Sequence, residues 1–281
     1  MSTNNTFIEK HSVWIYYALA FAISWGGLLL VIGPGAFTGA TAPTEARLPL
    51  VFLAMFAGPS VAGLLMTGLV HGKAGFRELL SRLLTWRVGA RWYVVAIALA
   101  PLLMLGVLFV LSRFSPGYLP GILVSDAKSS LLLTGIVAGL VTGFCEELGW
   151  TGFAMPVLRR RYGVLATGLI MGMFWGAWHY PLFSEGDLSG AVPLAVFLPV
   201  QLFTFLPAFR VLMVWVYDRT GSLLVALLMH ASLTGGTLIL QPADVAGMLG
   251  VMYNLALTVV LWIVIAAIGV VNRGRVPAAA P

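Results

Sequence analysis

Five ionisable side chains stand inside long apolar stretches of this sequence, where an inert membrane anchor would have none. Glu146 and Glu147 lie in TGFCEELGWTGFAMP, His179 in FWGAWHYPLF, Arg210 in the run after that, and His230 in LLMHASLTGG. A charge at the centre of a bilayer costs at least about 2.5–3.5 kcal/mol, so such groups face a polar cavity and find partners there. Two carboxylates and two imidazoles on three separate helices are the kit for activating a water molecule. A glutamate can accept the proton, and a histidine can orient the water, stabilise an oxyanion or hold a divalent ion. Consecutive residues project about 100° apart on a helix, so Glu146 and Glu147 are expected to do different jobs. At i+4, Glu146 shares a face with Trp150, Glu147 with Thr151, Trp175 with His179, and His230 with Thr234. Gly149 and Gly152 admit a close neighbouring helix. Pro156 and Pro181 are expected to limit their helices just past the polar groups.

The elements that carry these residues must be membrane helices. Sixty percent of the chain is apolar, nine percent is charged and the mean hydropathy is +0.97. A soluble domain has about one quarter charged residues, so the bilayer must be the solvent. Apolar runs at about 13–33, 49–70, 92–112, 129–156, 163–183, 192–216, 222–240 and 247–271 predict about eight transmembrane helices. The fold class is thus an all-α polytopic membrane bundle. Between the second and third runs, Phe76, Leu79, Leu80, Leu83 and Leu84 share one face, with Arg77, Arg82 and Arg87 elsewhere, which predicts an amphipathic interfacial helix. Residues 1–12 read as a polar tail, 13–271 as a single transmembrane domain and 272–281 as a disordered tail. No small-residue cleavage site follows a short apolar core, so the first run reads as a retained span.

Positive charge sets the orientation. Twelve of the sixteen Lys and Arg fall on the side of both termini, three (Arg47, Arg113, Lys128) fall on the other, and Arg210 is within a run. This asymmetry predicts cytoplasmic termini in a plasma membrane, with the 71–91 segment on the same side. The net charge of +6 is spread over short loops, which argues against a nucleic-acid partner. The single Cys145 excludes an internal disulfide framework.

Taken together and in order, three motifs resemble those of the CPBP family of intramembrane proteases, which includes CAAX prenyl endopeptidases and bacterial relatives tied to bacteriocin processing and self-immunity. The family's EExxxR appears as Glu146-Glu147-Leu148-Gly149-Trp150-Thr151. An aromatic, three intervening residues and then His appears as Trp175 to His179, and HxxxN/D as His230 to Thr234. FAGPSVAGLL (56–65) and GFRELLSRLLTWRVGARWYV (75–94) also look like segments of bacterial members. The resemblance implies that Glu146 is the general base attacking an amide through water. It implies that His179 and His230 position that water, stabilise the oxyanion or, with Glu146, bind a metal such as zinc. Glu147 would be a structural or secondary catalytic carboxylate, with Thr151, Trp175 and Thr234 in support. The implied substrate is a lipidated or apolar peptide reached from the bilayer.

The chain departs from the family at Thr151, where relatives carry Arg, and at Thr234, where they carry Asn or Asp. An Arg at 151 would form an i,i+4 ion pair with Glu147. The preferred reading of the sequence is that Arg210 snorkels to the interface while Thr151 hydrogen-bonds Glu147. The alternative turns Arg210, or one of Arg159–Arg161, towards Glu147 as the substitute cation. The departures keep open an impaired family member serving as a scaffold or membrane chaperone. A proton-coupled transporter is a third class, which the lack of an internal repeat disfavours.

Overall fold

The computed structural model describes residues 3–186, 190–242 and 245–273. Helices α1 (Thr3–Val31), α2 (Leu48–Leu83), α3 (Ala90–Leu111), α4 (Lys128–Gly149), α5 (Val164–Trp178), α6 (Leu194–Phe203), α7 (Phe205–Thr220), α8 (Leu223–Leu240) and α9 (Gly247–Arg273) make up the bundle. The all-α polytopic reading holds, and all eight apolar runs are helical. Among the described residues, seven helical stretches are long and apolar enough to cross a membrane. The exception is the fifth run, whose α5 has only 15 residues. It stops at Trp178 because Pro181 opens a separate four-residue helix, Tyr180–Phe183. The sixth run is one span broken at Thr204, between α6 and α7. Helix α9 runs to Arg273, two residues into the stretch read as a disordered tail, and 274–281 lie outside the described residues.

Two ladders of glycine position the polar residues. Gly135, Gly139 and Gly143 recur every fourth residue of α4, and a Cβ on any of them would collide with α8, at Ile239, the Ala231 carbonyl and the Leu227 carbonyl respectively. In lipid, where hydrophobic burial does not drive helices together, such close backbone approach supplies the packing contact. The ladder sets the α4 turn that bears Glu146 and Glu147 against the α8 turn that bears His230. Gly168, Gly172 and Gly176 of α5 likewise abut Val211, Pro207 and Leu202. That second ladder brings Trp175 against Arg210.

Beyond Gly149, α4 does not end at Pro156. It passes through a π-helical turn, Trp150–Ala154, and resumes as Met155–Arg159. The Gly149 backbone lies against that of Gly63 and Pro59 on α2, the close approach expected of that glycine.

The amphipathic segment follows a kink in α2 at Gly72, whose φ of 57° suits only glycine. Its apolar face is split. Leu79 is buried on the bundle, whereas Phe76, Leu80 and Leu84 are exposed. Arg82 does not stay on the polar face. Its guanidinium donates to the Gly152 carbonyl at 2.8 Å and the Tyr217 hydroxyl at 3.0 Å.

Candidate active site

Glu147 is the anchor. It is fully buried, and Nη1 of the equally buried Arg210 lies 2.9 and 3.0 Å from its two oxygens. Nδ1 of His230 is 2.7 Å from Oε1, and the Thr151 hydroxyl donates to Oε2. Three helices therefore meet on one carboxylate. The preferred sequence reading of Arg210 fails: the side chain does not snorkel, because α7 faces the bundle through its second turn and the Trp175 ring covers the guanidinium at 4.2 Å. The Thr151 half of that reading holds. Arg159, another candidate partner, is committed to Asp218 at 2.5 Å.

Glu146 points elsewhere, as its 100° offset requires. Its Oε2 accepts from the indole N–H of Trp175 at 2.8 Å and of Trp150 at 3.2 Å. All its hydrogen bonds to described residues fall on Oε2, which leaves Oε1 to take a proton. The carboxylate is 2% exposed.

His230 joins the two glutamates. An ionised Glu147 only accepts, so Nδ1 of His230 carries the proton of that bond and Nε2 is turned towards Glu146. Nε2 and Glu146 Oε2 are 3.9 Å apart. That gap is too long for a direct hydrogen bond, yet a water about 2.8 Å from each would fit between them.

His179 lies one ring away. Its Nδ1 donates to the Trp175 carbonyl at 2.8 Å, so a neutral imidazole has its lone pair on Nε2. The ring stands edge-on to Trp175 and Trp178, at centroid distances of 5.5 and 4.7 Å, and Trp175 in turn meets His230 at 5.1 Å. Trp175 is thus the hub shared by Glu146, His179, Arg210 and His230. Thr234 is half-buried and forms no side-chain hydrogen bond with a described residue. Nothing in the structure gives it a supporting part.

Directly after His179, Pro181, Leu182 and Phe183 form one wall of a cavity of about 550 Å³. Apolar side chains of α1, α2, α6 and α9 dominate its lining, together with the amide pair Asn254–Gln201 at 2.7 Å. Neither Glu146 nor His230 lines it.

Among the described residues, no three His, Cys, Asp or Glu side chains gather as ligands of one ion. Glu146 Oε1 and Nε2 of both histidines nevertheless keep their lone pairs, with each Nδ1 held by another group as in metal-ligating histidines, so the donor chemistry suits a divalent ion although the three are not gathered round one point.

Arg210 and Trp150 stand outside the catalytic and supporting residues that the family resemblance implies. Both had a signal: Arg210 is the one cation within an apolar run, and Trp150 is four residues after Glu146.

Residues 128–235 match the family model described as type II CAAX prenyl endopeptidase Rce1-like. A stretch of 43 residues is 42% identical to CAAX prenyl protease 2 of Methanococcus maripaludis, covering 15% of this chain and 16% of that protein. The segment that carries both carboxylates and both histidines is therefore similar to the type II CAAX prenyl endopeptidases of the Rce1-like family, in agreement with the CPBP motifs.

Proposed function

We propose that this integral membrane protein is an intramembrane endopeptidase acting on a lipidated or apolar peptide. The observation that carries the reading is the 3.9 Å separation of Glu146 and His230, two polar groups from different helices converging at a buried point. In this reading a water bound between them gives its proton to the Glu146 carboxylate as its oxygen attacks the scissile carbonyl. Glu146 then returns the proton to the departing amine. Glu147 does not exchange protons. Locked by Arg210, Thr151 and His230, it holds the His230 ring in the tautomer that presents Nε2. His179 orients water or substrate through Nε2 while neutral, and stabilises an oxyanion only as an imidazolium. The apolar part of the substrate occupies the cavity that starts at Pro181. Both termini and the 71–91 segment are placed on the cytoplasmic side, so cysteines introduced at Lys73 and Arg275 should label from the same face.

The test is incubation of purified protein with lipidated and unmodified peptides in H₂¹⁸O, with mass spectrometry of the products. Cleavage with ¹⁸O in the new carboxylate, lost in Glu146→Ala, supports the reading. No cleavage of any peptide by folded protein would favour the scaffold reading instead. That second reading has its own support in the closure of the site, with Glu146 capped by two indoles.

A further inference from the structure

Hydrolysis needs water at Glu146, and the apolar cavity beyond His179 does not reach that carboxylate. The opposite end of the bundle offers another way in. On α1, Ser12, Tyr16, Ala20 and Ser24 recur every fourth residue, and all are buried. Ser12 helps to line a second, polar pocket of about 310 Å³ with Glu9, His71, Arg160 and Arg161. One turn deeper, the Tyr16 ring stands edge-on to Trp150 at 5.5 Å and lies 5.6 Å from Phe153. Its hydroxyl sits where a Cβ on Gly149 would need to go, two residues past Glu147.

That hydroxyl has no hydrogen-bond partner among the described residues, although Tyr16 is fully buried. The same holds for the Tyr17 hydroxyl and the Trp178 indole N–H, whose rings each lie 5.9 Å from Trp150. Nε and Nη2 of Arg210 are likewise unpartnered. Buried polar groups are almost always hydrogen-bonded to protein or to ordered water, and a cluster of orphans around one ring is the setting that internal water satisfies.

We propose that Ser12 and Tyr16 hold a file of water that leads from the Glu9–His71–Arg160–Arg161 pocket to the carboxylate pair. Tyr16 is then a positioning residue for the hydrolytic water. It lies on α1, outside the 128–235 segment that matches the family model. The role in catalysis rests on the endopeptidase reading, whereas the water file itself can be tested without any substrate.

In a Cys145→Ala background, single Ser12→Cys, Tyr16→Cys and Ser24→Cys variants are reacted with a small charged methanethiosulfonate. Ser24 serves as the dry control, because its hydroxyl is bonded to the Met55 carbonyl at 2.7 Å and packs on Gly58. The file predicts reaction at 12 and 16 at least ~10-fold faster than at 24, since only hydrated thiols ionise readily. Equal, slow reaction at 16 and 24 overturns it. Tyr16→Phe gives a second reading that does not depend on folding of the cysteine variant. Removing a hydroxyl bonded to water lowers the melting temperature, whereas removing a dry orphan raises it. A rise would overturn the proposal. If the wild type cleaves peptide, Tyr16→Phe should also lower kcat about 10-fold with KM within about twofold, the loss of one water-ordering hydrogen bond.

Discussion

Removing Arg210 should expose how much of the fold depends on one buried ion pair. Both partners are wholly inaccessible, and a single guanidinium nitrogen serves both carboxylate oxygens at 2.9 and 3.0 Å. At an effective dielectric of 20, unit charges about 4 Å apart interact by about 4 kcal/mol. Losing one member of a buried pair typically costs 3–5 kcal/mol, because the other charge remains without compensation. Arg210→Met should therefore cost about 4 kcal/mol, with about 1 kcal/mol more from the lost contact with the Trp175 face. Glu147→Gln should cost about 3 kcal/mol, since it leaves the guanidinium unpaired in the same dry site. The double variant removes both charges and should be more stable than Arg210→Met alone, a coupling of about 2–4 kcal/mol. The assay is unfolding of the four proteins by denaturing detergent, analysed as a double-mutant cycle. Single losses that add to within about 0.5 kcal/mol would refute the pairing.

Further expectations concern the same site. Thr151→Arg, which restores the family's residue, should destabilise by at least about 3 kcal/mol because it forces a second cation beside Arg210; Thr151→Arg/Arg210→Leu should regain most of that, as melting temperatures will show. Gly139→Leu should separate α4 from α8 at the Ala231 carbonyl and abolish cleavage with a loss of more than about 2 kcal/mol, whereas Gly106→Leu, which meets nothing within 4 Å, should be silent in the same unfolding assay. Trp175→Phe keeps an aromatic ring but deletes the 2.8 Å bond to Glu146, and a kcat about 10-fold lower is expected in the peptide assay.

The site was legible because ionisable residues are rare in lipid-facing sequence. Glu146, Glu147, His179 and His230 stood out by chemistry alone, and three of the four meet within hydrogen-bond or one-water reach. The elements that carry them are broken at places that composition marks only weakly: the π turn at Trp150–Ala154 and the end of α5 at Trp178. The sequence favours the wrong orientation for Arg210 because its reach depends on which face α7 turns inward, a matter settled by Gly168, Gly172 and Gly176 on another helix. Those glycines, like Gly135, Gly139 and Gly143, carry no signal one at a time. The segment after Gly72 shows a related limit. Its apolar residues were counted as one face, but a helix lying at a bundle's edge divides that face between protein and surroundings.

The central claim, that Glu146 activates the water, is tested most directly by single-turnover cleavage of a lipidated peptide by Glu146→Gln. The amide keeps an oxygen for the two indoles, so melting temperature should stay close to wild type while the rate falls about 10²–10⁴-fold, the usual contribution of a general base. A folded Glu146→Gln protein that cleaves within about threefold of the wild-type rate would contradict the account.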